Sequence, residues 1–336
     1  MHDMIDRTNF LASRRAVLSG LAASAAVVGL GGCTRMLGGV AELTTDVTVH
    51  EDLAYGPHKR HRLDLYIPDK ASADTPVVLF LYGGSWKWGS RGRYAFVGYG
   101  LASRGFAVAV ADYRLYPEVR FPEFNDDAAR AAAWLQSERS GFGLAPGPLN
   151  LMGHSAGAHI AALIALDPRY LERRDLTPAD LGRVVGLSGP YGMYPSRIDF
   201  VADIFPPAAE EAMARPVTFA RGEAPPMLLL HGADDSLVSP KNSETLANLL
   251  TIEGAAAEAR VYPDVGHREM VLALSPLFSG LAPVLDDASA FLKSGPAAQR
   301  PDQERRAQAV RYLAANTPDS FRRDLDPTLT FMRLGY

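Results

Sequence analysis

Short apolar runs alternate with longer helical patterns through most of the chain. The apolar runs predict buried strands over residues 77–81, 106–111, 149–152, 184–187, 227–230 and 259–262. The intervening patterns predict helices around residues 92–103, 124–139, 156–166, 240–253 and 268–293. Nearly continuous apolar strands, without strict alternation, are typical of a parallel sheet covered on both faces. The pattern therefore predicts a doubly wound α/β domain with a mostly parallel sheet and helices on both faces.

Two short segments ahead of this pattern, residues 47–49 and 62–67, predict antiparallel lead-in strands. In the second segment Leu63, Leu65 and Ile67 alternate with more polar residues. A period of two residues is the pattern of a strand with one buried face. With these strands included, one domain is predicted over residues 33–295.

Two other segments depart from the strand and helix rhythm. Residues 191–226 are rich in proline and carry scattered apolar side chains, which predicts an irregular cap inserted between two strands. A lid over a binding site and a long connection on the domain edge both fit this cap. Residues 296–336 form a C-terminal extension that opens with polar residues and ends in apolar ones. The sequence leaves three roles open for this extension: docking on the domain, a dimer contact or a mobile tail. The oligomeric state is open as well.

Residues 1–32 predict an export signal that is separate from the fold. Arg14 and Arg15 precede an uncharged run over residues 16–32, which ends at Cys33. The run is short for a hydrocarbon core of ~30 Å and typical of a cleaved signal. Residues 13–18 resemble the twin-arginine export signal, and residues 30–33 resemble the lipobox of bacterial lipoproteins. The resemblance implies a lipid on Cys33 and an exported, membrane-anchored protein of the bacterial cell envelope or periplasm. An uncleaved leader with a chance cysteine is the alternative.

Composition excludes several classes of function. The chain has 34 basic and 38 acidic side chains and a formal charge of −4, so no nucleic-acid partner is expected. Its single cysteine excludes an intrachain disulfide framework and multi-cysteine metal sites. His154 and His159 would lie ~140° apart on a helix, whereas paired helical metal ligands share one face. No Gly-x-Gly-x-x-Gly motif follows a strand outside the leader, so a nucleotide cofactor is not implied. Neither a bound metal nor any other cofactor is expected.

The sequence Gly-His-Ser-Ala-Gly at residues 153–157 is the strongest chemical motif. It follows the predicted strand 149–152 directly and opens an Ala-rich helix. A serine on such a strand-to-helix turn is exposed at the carboxyl end of the sheet, and the flanking glycines let strand and helix approach. The helix N-terminus also favours negative charge beside Ser155. We therefore predict that Ser155 is a nucleophile and not only a helix-capping serine.

A serine nucleophile needs a base in reach and a third group that orients the base. Of the eight histidines, only His231 and His267 lie well downstream of Ser155, each after a predicted strand. His231 opens a loop that contains Asp234 and Asp235, and His267 precedes the last predicted helix. We assign His267 as general base and Asp235 as the orienting acid, with Asp234 as the rival. Helix capping by these side chains is the structural alternative.

Residues 82–86 read Tyr-Gly-Gly-Ser-Trp and close the predicted strand 77–81. Acyl transfer needs backbone N–H donors aimed at the oxygen that becomes charged. We predict that the N–H groups of Gly84, Ser85 and Ala156 form this oxyanion hole. A glycine turn with tryptophans as hydrophobic anchors is the alternative. Four nearby side chains are predicted to contact substrate: Tyr82, Trp86, His154 and Tyr191.

These motifs resemble the carboxylesterase group of α/β-hydrolases over residues 60–293. Residues 82–86 match His-Gly-Gly-x-Trp except that Tyr82 replaces histidine, and residues 112–118 resemble an Asp-Tyr-Arg-Leu-x-Pro-Glu block. Residues 231–238 resemble the acid loop of the group, which favours Asp235 over Asp234. Within the group, the chain is similar to the hormone-sensitive-lipase-like, feruloyl-esterase-like, kynurenine-formamidase-like and isoprenylcysteine-methylesterase-like hydrolases.

The resemblance implies a serine hydrolase that cleaves carboxylic esters of small molecules through an acyl-enzyme intermediate. An amidase or formamidase with the same triad is the alternative within the fold. A noncatalytic binding protein of the cell envelope is the alternative from another class. The motifs leave the acyl and alcohol preferences open.

Overall fold

The computed structural model describes residues 45–294 and 303–316, and it confirms the expected α/β-hydrolase architecture. The strands are β1 (Val47–Ala54), β2 (Arg62–Pro68), β3 (Val77–Leu81), β4 (Ala107–Ala111), β5 (Leu149–His154), β6 (Leu181–Leu187), β7 (Met227–Gly232) and β8 (Ala257–Tyr262). They form one sheet in the order β1-β2-β4-β3-β5-β6-β7-β8. The predicted lead-in pair β1 and β2 is antiparallel, β2 is antiparallel to β4, and the remaining neighbours are parallel.

The helices connect and cover these strands. They are α1 (Ala95–Ala102), α2 (Glu123–Glu138), α3 (Ala156–Leu166), α4 (Arg169–Glu172), α5 (Asp199–Ala202), α6 (Lys241–Glu253), α7 (His267–Leu272), α8 (Val284–Lys293) and α9 (Gln303–Asn316). Short 3-10 turns span Arg91–Tyr94, Arg139–Phe142, Pro178–Asp180, Pro195–Arg197, Glu211–Ala214 and Pro216–Phe219.

The prediction of one helix over residues 268–293 was wrong. Two shorter helices, α7 and α8, occupy this stretch and are separated by residues 273–283. Pro276 and Pro283 lie in the gap, and a proline inside a helix removes a backbone donor and clashes with the preceding turn. Pro283 instead precedes the first residue of α8, where no intrahelical donor is needed.

The central strands explain the uninterrupted apolar sequence. Every residue of β3, β4 and β5 is buried, since helices cover both faces of the sheet there. At the sheet edge, β8 is only partly buried. In a parallel sheet the carboxyl ends of neighbouring strands share one edge. That edge therefore collects the residues that follow β3, β5, β6, β7 and β8.

Residues 191–226 connect β6 to β7 as an irregular insertion of short helical turns. Its base is packed on the domain, where the ring of Phe205 meets the Trp86 ring edge-on at 4.8 Å. Its outer side is open, since Phe200 is 51% exposed. In the C-terminal extension, α9 packs on α6: Leu313 is buried, and Arg306 Nε donates to the Ile252 carbonyl oxygen at 3.0 Å.

The predicted signal peptide, Cys33 and most of the extension over residues 296–336 lie outside the described residues. Within the described ranges, no helix combines the length and the apolar character needed to cross a membrane.

Candidate active site

Ser155 occupies the turn between β5 and α3. Its backbone has φ 53° and ψ −120°, a conformation that residues other than glycine seldom adopt and that is often found at functional sites. Glycines permit the tight turn, because a Cβ atom on Gly157 would lie 2.0 Å from the Leu81 carbonyl oxygen. The Ser155 N–H donates to the Leu187 carbonyl oxygen at 2.8 Å, and the residue is partly exposed. The turn therefore presents the hydroxyl at the carboxyl edge of the sheet.

Asp235 and His267 meet beyond the ends of the neighbouring strands β7 and β8. His267 Nδ1 lies 2.7 Å from Asp235 Oδ2, and the His267 side chain is 10% exposed. Because Nδ1 faces the carboxylate, Nε2 is left to exchange a proton, as a general base requires. Asp234 is exposed. The structure thus gives the contact with His267 to Asp235 and not to its rival.

Four donors surround the Asp235 carboxylate. Oδ1 accepts from the N–H groups of Leu237 at 3.0 Å and Val238 at 2.8 Å. Oδ2 accepts from His267 and also lies 3.1 Å from His231 Nε2. Burial acts to raise the pKa of Asp235, but the hydrogen bonds from His231 and His267 outweigh it and hold that pKa well below its usual range. The carboxylate is therefore ionised at neutral pH in its contact with His267.

His231 is a second support of Asp235 that sequence reasoning considered only as a candidate base. It is fully buried, its Nε2 faces the Val238 carbonyl oxygen at 2.9 Å, and its Nδ1 lies 2.8 Å from the Ser243 hydroxyl. Nε2 therefore carries the proton, and the Ser243 hydroxyl donates to Nδ1. The four-residue spacing between His231 and Asp235 in one loop was the available signal.

Ser155 is linked to this pair through its neighbour in sequence, His154. Within the described residues, no hydrogen bond joins Ser155 Oγ to His267. The neighbouring His154 does contact His267: the ring centroids are 4.9 Å apart, and His154 Nε2 donates to the His267 carbonyl oxygen at 3.0 Å. Burial and the nearby His267 lower the pKa of His154 to about 3, so this ring is neutral at pH 7. Catalytic hydrogen bonds often tighten only once substrate is bound.

The loop after β3 lies directly against Ser155. A Cβ atom on Gly83 would be 2.9 Å from Ser155 Cβ, so a larger residue there would displace the serine. Gly84, Ser85 and Trp86 follow with φ of 134°, 51° and 57°. Three successive positive φ angles are uncommon and turn the backbone sharply beside the serine.

The predicted oxyanion donors border this loop. In the described part of the chain, no group accepts a hydrogen bond from the N–H of Gly84, Ser85 or Ala156. The loop is instead closed by the N–H of Trp88, which donates to the Gly84 carbonyl oxygen at 2.9 Å. Unused N–H groups beside a nucleophile are what an oxyanion hole requires. The assignment to these three residues stays a prediction.

A buried polar network supports the same loop from behind. The Tyr82 hydroxyl donates to Asp112 Oδ1 at 2.7 Å and accepts from Arg60 Nη2 at 2.6 Å. Arg60 also donates to the Gly89 carbonyl oxygen, and Arg91 Nη1 donates to Asp112 Oδ2 at 2.8 Å. Burial and the charge of Asp112 raise the pKa of Tyr82 well above its usual value. Tyr82, which departs from the family pattern, is therefore a buried, neutral phenol in the core.

The four side chains predicted to contact substrate are buried. The exposed fractions are 0% for Tyr82, 3% for Trp86, 5% for His154 and 0% for Tyr191. These side chains help to shape the site, and their contact with substrate stays a prediction. Trp86 fits the alternative role of a hydrophobic anchor, since its ring packs on Phe205.

No set of three or more His, Cys, Asp or Glu side chains lies close enough to hold a metal ion among residues 45–294 and 303–316. His154 and His159 point to separate partners. His154 bonds to the His267 carbonyl oxygen, and His159 Nε2 donates to the Ala214 carbonyl oxygen at 2.7 Å.

Comparison with known proteins places this chain in a family. The sequence model of the BD-FAE family matches residues 63–250, which include Ser155 and Asp235. The chain belongs to the BD-FAE family. His267 lies beyond the matched segment, at the start of α7, which follows β8.

Curated relatives of this BD-FAE chain are named as esterases. It is 30% identical over 260 residues to the isoprenylcysteine alpha-carbonyl methylesterase ICME of Arabidopsis thaliana, which covers 71% of this chain and 61% of that protein. It is 29% identical over 218 residues to the esterase LipC of Mycobacterium tuberculosis, with 58% and 53% covered. The chain thus spans 61% of the length of ICME and 53% of the length of LipC.

Solved structures share the fold of this BD-FAE chain. Esterase 2 of Thermogutta terrifontis superposes with a TM-score of 0.62 at 22% identity, covering 76% of this chain and 97% of that one. A truncated carbohydrate esterase from gut microbiota gives a TM-score of 0.61 at 21% identity, with 74% and 96% covered.

Proposed function

We propose that the protein is a carboxylic ester hydrolase that works through Ser155, His267 and Asp235. The contact between Asp235 and His267, at the strand ends beside the strained Ser155 turn, is the observation that carries the proposal. The esterase names of the family relatives support it.

In the proposed reaction, Ser155 Oγ adds to the ester carbonyl carbon while His267 Nε2 takes the hydroxyl proton. Collapse of the adduct breaks the carbon–oxygen bond to the alcohol, which leaves with the proton from His267. Water then adds to the acyl-enzyme and gives its proton to His267. Release of the carboxylic acid returns that proton to Ser155.

The oxyanion of each adduct would lie between the loop after β3 and the start of α3. The N–H groups of Gly84, Ser85 and Ala156 are proposed to receive it, and loss of one such donor costs ~100-fold to ~1000-fold in turnover. The N-terminus of α3 adds a favourable field for the same charge.

Replacement of the nucleophile tests the activity. Ser155→Ala is expected to abolish hydrolysis of p-nitrophenyl acetate and labelling by a fluorophosphonate probe. Ser188→Ala is the matched control, because Ser188 also follows a strand with a positive φ of 49° but is fully buried. Wild-type turnover by a folded Ser155→Ala protein would refute the proposal. Absence of labelling in the wild type would favour the noncatalytic alternative.

We also propose that the protein is exported and held on a membrane surface by lipid on Cys33. The motif at residues 30–33 supports this, and two or more acyl chains suffice for stable anchoring. Cys33→Ala is expected to move the protein from the membrane fraction to the soluble fraction, whereas the adjacent Thr34→Ala should not. Unchanged partitioning of the Cys33 variant would contradict the anchor.

A further inference from the structure

A cavity of about 530 Å³ opens at the edge of the sheet opposite Ser155. Its walls come from the residues that precede or begin β3, β5, β6 and β7, together with the end of α8. A strand of five to six residues is roughly 20 Å long, so this cavity is well separated from the candidate active site.

The floor of the cavity is buried and basic. Arg139 is 4% exposed and Arg183 is 7% exposed, and both line the cavity. The rim is open, since Asp74, Pro146 and Ser294 are exposed residues of the same lining. The cavity is therefore open to solvent at its rim, and both arginines belong to its lining.

Arg139 lacks a carboxylate partner in the described part of the chain. Its Nη1 donates to the Gln136 side chain at 3.0 Å and to the Gly147 carbonyl oxygen at 2.7 Å, while its buried Nε has no hydrogen-bond partner there. Burial lowers the pKa of Arg139 and of Arg183. A guanidinium stays protonated nonetheless, so a buried charge is present at the cavity floor.

Arg183 is held in position from the other side. Its Nε donates to the Ser294 carbonyl oxygen at 3.1 Å, and its guanidinium lies 5.1 Å from the centre of the Phe291 ring. Its backbone N–H donates to Asn150, which in turn donates to the Val77 carbonyl oxygen. Packing and hydrogen bonds thus fix this second cation beside the same cavity.

We propose that this cavity is a binding site for a small oxyanion, a phosphate or a carboxylate, held by Arg139 with Arg183 beside it in the lining. The buried charge of Arg139 has no carboxylate partner in the described ranges, and such a charge is stabilised when a charge of opposite sign is paired with it. A planar guanidinium matches the oxygen spacing of both ligand groups. The cavity volume leaves room for an organic residue attached to the anion.

Calorimetric titration of the full chain with sodium phosphate, and separately with sodium citrate, tests the site and separates its two ligand chemistries. We expect saturable binding of at least one probe. Arg139→Gln should weaken it at least ~10-fold, because a charge-assisted hydrogen bond is lost. Arg104→Gln is the matched control, since Arg104 is a more exposed arginine that pairs with Asp286; it should bind as the wild type does.

Asp74→Asn provides a test that does not depend on folding of the Arg139 variant. Asp74 is exposed on the rim, so removal of its negative charge should tighten anion binding about fivefold. Ester hydrolysis should be unchanged in this variant and in the presence of saturating anion. Absence of saturable binding for both probes would overturn the proposal, as would the same affinity in wild type and Asp74→Asn.

Discussion

Asp235 and Asp234 are adjacent in sequence but occupy different environments. Asp235 has four donors around its buried carboxylate, whereas Asp234 is exposed. Asp235→Asn should lower turnover of p-nitrophenyl acetate by ~10⁴, because an amide no longer selects the productive tautomer of His267. Steady-state kinetics of purified variants measure this loss.

Asp234→Asn is the control for that substitution, and its turnover should stay near that of the wild type. Comparable losses in both variants would mean that the loop conformation matters and the carboxylate contact does not. Circular dichroism of each variant separates such a loss from unfolding.

Residues within a local motif are predictable from the sequence, whereas the burial of residues outside such a motif is not. Ser155 was identifiable because its glycines and its place between strand and helix are local features. The burial of Tyr82 and Tyr191 was not, because it depends on which distant side chains pack over them. Arg60 is an example: it binds the Tyr82 hydroxyl from 22 positions away.

At the scale of elements, the loop after β3 depends on the network around Tyr82. The Tyr82 hydroxyl joins Asp112 and Arg60, and Arg60 also binds the Gly89 carbonyl oxygen on the far side of the loop. Tyr82→Phe should lower kcat for ester hydrolysis more than it raises KM, since the loop carries the predicted oxyanion donors. Unfolding should become easier by about 1–3 kcal/mol, because the charged Asp112 carboxylate loses one hydrogen bond, although its Oδ1 keeps the Arg91 N–H at 2.8 Å.

Tyr94→Phe is a suitable control for Tyr82→Phe. Tyr94 stacks on the same ring, but its hydroxyl makes only a long contact of 3.4 Å with the Gly83 carbonyl oxygen. Urea unfolding and steady-state kinetics of both variants give the comparison. Equal kcat for Tyr82→Phe and wild type would show that the loop keeps its shape without the network.

The boundaries of elements were predictable where the local signal was strong. Residues 77–81 and 156–166 match β3 and α3, because long apolar or Ala-rich runs end at polar or glycine-containing turns. The break between α7 and α8 was missed although Pro276 and Pro283 mark it, since the flanking apolar residues kept a helical pattern. The irregular insertion over residues 191–226 is recognisable from its prolines, but the burial of Phe205 at its base depends on the tertiary structure.

At the scale of the whole molecule, Ser155 and His267 follow strands of the same sheet although they lie 112 positions apart. The alternation of strands and helices predicts that they lie at one edge, because parallel strands share a carboxyl edge. The opposite edge has no sequence motif. One cavity is lined by Arg139, which precedes β5, and by Arg183, which lies in β6, because the strand order puts β5 beside β6.

Buried histidines make the whole fold sensitive to acid. Burial lowers the pKa of His159 to about 4 and, together with His267, that of His154 to about 3. In the unfolded chain both should titrate near 6.5, so between pH 6.5 and about 4 the unfolded state binds more protons than the folded state. The free energy of unfolding should therefore fall as pH falls through this window, by about 2 kcal/mol per histidine between pH 7 and pH 5.

His159→Gln isolates one of these contributions, because a glutamine amide can still donate to the Ala214 carbonyl oxygen. Urea unfolding of wild type and variant at pH 8, 7, 6 and 5 measures it. At pH 8 any difference reports packing alone, since the histidine is neutral in both states. Between pH 7 and pH 5 the wild type should lose about 2 kcal/mol more than the variant. Parallel curves for the two proteins would mean that His159 takes up a proton in the folded state as readily as in the unfolded chain.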